Sequence, residues 1–411
     1  MKQPHDYGRS RSGPPPVFGL LVCLACLGAG VVLPAAAQSG TSSFSVNGSL
    51  ETLPYAAYSG TDDFSGSFSC GSATKFDLEL TARGPSAAVQ ASAGASLEAD
   101  LYTGAAVGAF LAANQLGEMP ADLILGPATS GGSTPEALTA AQVRTAWAKL
   151  DWGWASLQAG RQVLSYGRGA WWSPEDIYTR VELSGISSLK LGSDALRLRL
   201  PFGDTGMLDA AAAPTANPAD GTYSMRLSGL PVSGLDLGAI AGYSGGGGTT
   251  TAGAGYSGAA SFTSGLGGCM LAGGDFKLDL GASFYGEALW LGPDDGAPGL
   301  FRSAFGLDWS FGDFYVAAEY YYNGGVASNL DPYFAGTHNV YGNISWKTTP
   351  FVTMIADVLW DVTDAEGIGL FVVSADVAQN AVFSAFAELS RNALSTAPLM
   401  VMTGIDLLVK F

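Results

Sequence analysis

The sequence predicts an all-β chain that closes into a transmembrane antiparallel up-and-down barrel. Three observations carry that expectation. Segments of roughly ten residues alternate between apolar and polar, as strands do when one face meets lipid and the other meets water. Only 13% of the residues are charged, where a soluble domain carries about a quarter, and beyond the first residues no run of about 20 apolar residues could cross a bilayer as a helix. Finally, the connections alternate between short and long, as they do when one rim of a barrel is all tight turns.

At the start of the chain, Lys2, Arg9 and Arg11 precede an apolar stretch over residues 17–33 and the small-residue run Ala35-Ala36-Ala37. This is the pattern of a secretory signal peptide over residues 1–37, cleaved before Gln38. An uncleaved anchor is the alternative, because the stretch is nearly long enough to span a bilayer. Pro34 and the alanines favour cleavage. Residues 38–411 then form one barrel domain. The whole chain has a formal charge of −17, and loss of Lys2, Asp6, Arg9 and Arg11 takes it to −19. That balance excludes nucleic acid as a partner, since a basic footprint is required. Cys70 and Cys269 remain, too few for a disulfide framework. Cys70 is expected in the first outer loop and Cys269 near the inner end of the tenth strand, too far apart to bridge.

The clearest alternation runs over residues 300–311, with Phe301, Phe305, Leu307, Trp309 and Phe311 on one face and Arg302, Asp308 and Ser310 on the other. After Gly312-Asp313 the next segment places Phe314, Val316, Tyr320 and Tyr322 opposite Tyr315, Glu319 and Tyr321. Trp290, Trp309, Trp346 and Trp360 sit near segment ends, where an interfacial aromatic girdle belongs. Tight turns at Gly84-Pro85, Trp152-Gly153, residues 203–205, Gly312-Asp313 and Thr349-Pro350 mark one rim; longer links over residues 51–72, 102–139 and 164–194 mark the other. Segments counted this way number about 18, with 16 as the alternative count, and both chain ends fall at the short-turn rim.

The final strand alternates Val401, Thr403, Ile405, Leu407, Val409 and Phe411 against Met402, Gly404, Asp406, Leu408 and Lys410. Gly404, Leu407, Val409 and Phe411 resemble the C-terminal assembly signal of bacterial outer-membrane barrel proteins, with Met402 where that pattern prefers a polar residue. The resemblance implies a location in the cell outer membrane, contact with its lipid, and recognition of the last strand by the barrel-assembly machinery.

Turning the polar faces inward puts Lys149, Asp151, Arg197, Arg199, Lys277, Asp279, Glu287, Arg302, Asp308 and Glu319 in the lumen. A charge facing lipid at mid-bilayer would cost ~2–4 kcal/mol. An interior of both signs can be a hydrated pore or a closed, salt-bridged core, and at this strand count side chains alone do not fill it. Residues 143–180 form the candidate site. A strand ends at Gly160-Arg161-Gln162, and the long link over residues 164–194 follows, with Arg168, Trp171, Trp172, Glu175, Asp176 and Arg180. This pattern is similar to diffusion porins and channels of the alginate-export type, in which a Gly-Arg at a strand end precedes an inward-folded loop. The resemblance implies that Arg161, Gln162, Arg168, Trp171, Trp172, Glu175, Asp176 and Arg180 constrict a pore, the arginines facing the acids across a transverse field. An ordinary surface loop is the alternative, against which two adjacent tryptophans speak.

The function so implied is passive diffusion of small hydrophilic solutes or ions, without cofactor or metal. A structural or adhesive barrel with ligand-binding outer loops and a blocked lumen is the alternative. Enzyme chemistry is not expected: His338 is the one histidine after the leader, with no flanking nucleophile motif. Porins are usually trimers and alginate-type channels monomers, so the resemblance leaves both open.

Overall fold

The computed structural model describes residues 42–411 apart from residues 61–65, 86–87, 109–122, 126–135, 179–180, 183–188, 191, 216, 246–267, 325–335 and 392–398. The leader and Arg180 therefore lie outside the described residues, as do Asp62, Asp63, Glu118 and Asp122 of the longer links over residues 51–72 and 102–139.

The chain is a closed antiparallel barrel of 18 strands in one domain, not 16. In chain order these are β1 (Ser43–Gly60), β2 (Gly66–Arg83), β3 (Gln90–Gly104), β4 (Ala137–Asp151), β5 (Ser156–Gln162) and β6 (Ser193–Phe202). Then come β7 (Gly206–Ala213), β8 (Thr222–Val232), β9 (Leu235–Ser244), β10 (Cys269–Asp279), β11 (Ser283–Pro293) and β12 (Leu300–Phe311). The circuit ends with β13 (Phe314–Asn323), β14 (His338–Thr349), β15 (Val352–Asp361), β16 (Glu366–Ala378), β17 (Ala381–Arg391) and β18 (Leu399–Lys410). Each strand pairs with the next, and β18 pairs with β1 from Lys410↔Ser49 to Leu399↔Gly60, which leaves no open edge. A short piece, Leu123–Leu125, pairs with β4 above the end of the brief β5.

Period-two sequence produces this wall because partners across a ladder share a face. Leu196, Leu227, Phe305, Ile344, Phe371 and Ile405 project outward and exposed, whereas Arg197, Arg226, Glu287, Arg302, Glu319 and Asp406 project inward and buried. Aromatics gather at the rims. At the short-turn rim Trp309, Phe311, Phe314 and Trp346 stack in series at centroid distances of 4.6, 5.4 and 5.4 Å. Gly312, at φ 57°, supplies the left-handed residue that a two-residue turn between Phe311 and Phe314 needs.

Two expectations are corrected. The first outer link is far shorter than residues 51–72, because β1 and β2 pair continuously from Ser43↔Arg83 to Gly60↔Gly66. Cys70 consequently lies within β2, on the outward face beside Phe68. Cys269 opens β10 at the long-loop rim rather than the inner end, since β10 descends from residues 246–267 to the turn before β11. Both cysteines are free. They are kept apart by their places around the circuit, not by the membrane's thickness.

Candidate functional site

The strand β5 has only seven residues, and the chain leaves it inward. Gln162 anchors the departure: its side-chain amide donates to the Ala195 carbonyl at 2.9 Å. Leu164 follows, fully buried. The Asp176 carboxylate then closes residues 165–176 into a compact loop, accepting from Ser165 Oγ (2.9 Å), Tyr166 N (2.6 Å) and Gly167 N (3.0 Å). Glycine is required inside this clasp. A Cβ at Gly169 would sit 1.7 Å from the Trp172 carbonyl oxygen, and one at Gly167 1.3 Å from Ser173 Oγ. On the return limb, the Tyr178 hydroxyl lies 2.9 Å from both the Ala211 carbonyl and Ser224 Oγ, and Ser193 Oγ donates to the Tyr178 carbonyl.

Two wall glutamates seat the tip. Glu287 of β11 accepts from the backbone N–H groups of Arg168 (3.1 Å), Gly169 (2.8 Å) and Glu175 (3.1 Å), and from Ser173 Oγ (3.1 Å). Glu319 of β13 accepts from Ala170 N (2.6 Å), Trp171 N (3.3 Å), Trp172 N (2.7 Å) and the Tyr285 hydroxyl (3.0 Å). Converging N–H groups on an ionised carboxylate are the stronger class of hydrogen bond. Beyond them, Trp172 stacks on Tyr321 at 5.4 Å and Trp171 on Tyr341 of β14 at 5.5 Å. The loop therefore follows the inner wall from β5 to β14, with its tryptophans packed toward Leu359 and Ile368.

Charges beneath the loop are paired with the wall. Arg168 bonds Asp275 of β10 and, at 2.8 Å, Asp236 of β9. Arg226 of β8 bonds Asp275 at 2.7 Å and lies 3.9 Å from Glu175. Arg197 and Arg199 share Asp209 of β7, which the Tyr166 hydroxyl also approaches at 3.5 Å. Glu175 is completely buried and neither of its oxygens has a hydrogen-bond partner. Burial above all, then the neighbouring carboxylates Asp275 and Glu287, push its carboxyl up to about 9. Both causes favour its protonated form.

The sequence expectations meet this geometry unevenly. Arg168, Trp171, Trp172, Glu175 and Asp176 are brought together against the inner wall, with Gln162 at the root. Lys149, Asp151, Arg197, Arg199, Lys277, Asp279, Glu287, Arg302, Asp308 and Glu319 lie on inward-facing ladder positions. Arg161 does not join them. It pairs with Asp194, bonded at 3.2 Å, and Asp194 shares the outward face with exposed Leu196 and Leu198, so Arg161 is on the outside of the wall. The expected opposition of Arg161 and Arg168 to Glu175 and Asp176 across a gap is also absent, because Glu175 is tucked under the loop and Asp176 serves the clasp. Asp209, Arg226, Asp236, Asp275 and the tyrosines 166 and 178 were not singled out by the sequence pattern. The acids and Arg226 stand at inward positions of their ladders, and nothing in the alternation identified them as the loop's partners.

At the closing seam, Leu407 and Val409 face outward and Gly404 faces inward under the Phe386 ring. Phe411 exchanges two backbone hydrogen bonds with Gly48, both at 2.9 Å, and stacks on Phe76 at 6.1 Å.

No protein-family model matches the chain, and no curated protein matches it. Similar solved structures do exist. Pseudomonas aeruginosa OccK9 (OpdG) is 9% identical with a TM-score of 0.55, the alignment covering 90% of this chain and 98% of that one. Acinetobacter baumannii OccAB4 is 10% identical at a TM-score of 0.54, covering 91% and 99%. Acinetobacter baumannii OccAB1 is 13% identical at 0.52, covering 89% and 96%. At such identity the likeness is one of fold: the chain has the architecture of an outer-membrane porin barrel, traversed end to end.

Proposed function

We propose that the protein is an outer-membrane channel for the passive diffusion of small hydrophilic solutes or ions, narrowed by residues 163–178. The observation that carries this reading is the seating of that loop on Glu287 and Glu319 inside a wide, polar-walled barrel. A lumen of this strand number has room for water beside the loop, and the lipid-facing belt accounts for the apolar exterior. Export would use residues 1–37, and insertion would use the β18 seam with Phe411 as the assembly machinery's handle. The reading is of a channel rather than an enzyme.

Single-channel recording of the refolded protein in a planar bilayer tests it. Discrete open steps in KCl are expected. A barrel that inserts yet holds a closed baseline across salts and voltages would leave the blocked, structural or adhesive barrel in its place. Deleting residues 169–175 should raise the step size without abolishing insertion.

A further inference from the structure

We infer that the inner wall of β16, β17, β18 and β1 is a subsite for organic cations with an apolar body; this deepens the channel reading and rests on it. The docked loop follows the wall from β5 to β14, and among the described residues of β16 it is Ile368 that packs with its tryptophans. Its tip therefore leaves this seam uncovered by any contact described above. Here the ladder sets Glu388 opposite Leu370 and Met402, Asp406 opposite Ser384, and Glu51 opposite Leu408. All three acids are inward, because Leu389, Ile405, Leu407 and Leu50 on the alternate positions are exposed outward.

Along β18, Met402 to Asp406 is four residues and Asp406 to Leu408 two, which at about 3.3 Å per residue spaces the acids by roughly 13 and 7 Å. They form a column descending from the long-loop rim, with half-buried Leu370, Met402 and Leu408 between them.

Two of these carboxylates, Glu388 and Asp406, differ from those under the loop in lacking partners, while Glu51 faces Lys75. Among the described residues neither Glu388 nor Asp406 has an ion pair or a side-chain hydrogen bond, and Lys75, across the ladder from Glu51, bonds Glu98 at 3.6 Å. Asp406 is only 6% exposed, and its Oδ1 meets no donor. A carboxylate held in the wall without a donor is a position for one brought by a solute. An anion would be repelled by this seam, and a bare inorganic cation would make nothing of the apolar residues between the acids. An ammonium on a hydrocarbon body uses both. The arginines around the circuit do not offset the preference, since Arg197, Arg226 and Arg168 are already bound to Asp209, Asp275 and Asp236.

The test is calorimetric titration of the refolded, detergent-held barrel with benzylammonium chloride, and with sodium benzoate as the matched anion. The parent should bind the cation and not the anion. Glu388→Gln with Asp406→Asn should weaken the cation's affinity by about tenfold or more, the loss expected when charge-assisted contacts are removed. Glu388→Gln alone, a half-exposed change that leaves the seam packed, should give part of that loss. In bilayers the benzylammonium-to-benzoate permeability ratio should fall in the same order. No binding by the parent, equal binding of benzoate, or affinity unchanged in both folded variants would overturn the subsite. A parent that binds but passes no KCl current keeps the subsite and loses the channel reading. One that conducts KCl without binding does the reverse.

Discussion

Replacing Glu319 by glutamine should release the loop tip while leaving the barrel closed. In the parent its carboxylate accepts from Ala170 N at 2.6 Å, Trp172 N at 2.7 Å, Trp171 N at 3.3 Å and the Tyr285 hydroxyl at 3.0 Å. Glutamine keeps one acceptor oxygen and turns an NH₂ group on N–H donors that can only repel it. Hydrogen bonds to a charged partner contribute roughly 1.5–3 kcal/mol each, so losing about two weakens docking by about 3–6 kcal/mol. The stack of Trp172 on Tyr321 returns only about 0.5–1.5 kcal/mol. The balance loosens the tip from β13, while the four contacts to Glu287 remain. Two measurements read it. Single-channel conductance should rise and become noisy, and acrylamide should quench tryptophan fluorescence more strongly, because Trp172 is 5% exposed in the docked loop. A variant that is folded by heat-modifiable mobility, yet matches the parent in conductance and quenching, would show that Glu319 does not hold the loop.

Other outcomes follow from the same geometry. The Glu175 carboxyl titrates at about 9 in the docked loop against an ordinary value of 4.5, so the docked state binds the extra proton. Through this group alone, docking should weaken by about tenfold per pH unit between pH 4.5 and pH 9, levelling above it; conductance should rise between pH 7 and 10, and Glu175→Gln should flatten that rise. Arg168→Ala should shift reversal potentials toward cations by freeing Asp236, whereas Arg161→Ala, on the outside of the wall, should leave them unchanged; equal shifts in both would contradict the placement of Arg161. Phe411→Ala removes the stack on Phe76 and should lower the yield of heat-modifiable barrel without altering the conductance of those that form.

Sequence conveyed the faces of this barrel well and the heights poorly, for a physical reason. Period two assigns each residue to lipid or lumen without reference to any other strand, so Arg197, Glu287, Arg302 and Glu319 could be placed inward from their neighbours alone. Which inward residue meets the loop depends on the stagger between strands, and that is written in no single segment. Asp275, Lys277 and Asp279 share one face of β10, yet only Asp275 stands at the level of Arg168. The same limit hid the roles of Glu287 and Glu319, whose loop partners are mainly backbone N–H groups that any sequence supplies. Arg161 is a different failure. Gly160-Arg161 looked like a loop entrance, but counting two by two from Gln158, paired with inward Arg197, already turns Arg161 outward. At β1 and β2 the Ser, Gly and Thr positions around Cys70 carry too little apolar contrast for alternation to register, and hydroxyl pairs such as Thr52 with Thr74 at 3.0 Å accompany continuous strands there.

These failures bear on selectivity. A charge count from sequence treats every lumen residue as available to a permeating ion, and on that count the loop's arginines and acids set the field. In the folded chain those groups are consumed in docking: Arg168 by Asp236 and Asp275, Asp176 by the clasp, and Glu175 by its own proton. A bound pair presents a dipole rather than a charge, and its field falls off more steeply with distance. On the proposed reading, what acts on a solute is the set of acidic and basic side chains left without partners, and Asp406 and Glu388 on the β17–β18 seam belong to that set. On the proposed channel reading, the loop sets the width of the passage, and the wall across from it sets the sign of what passes.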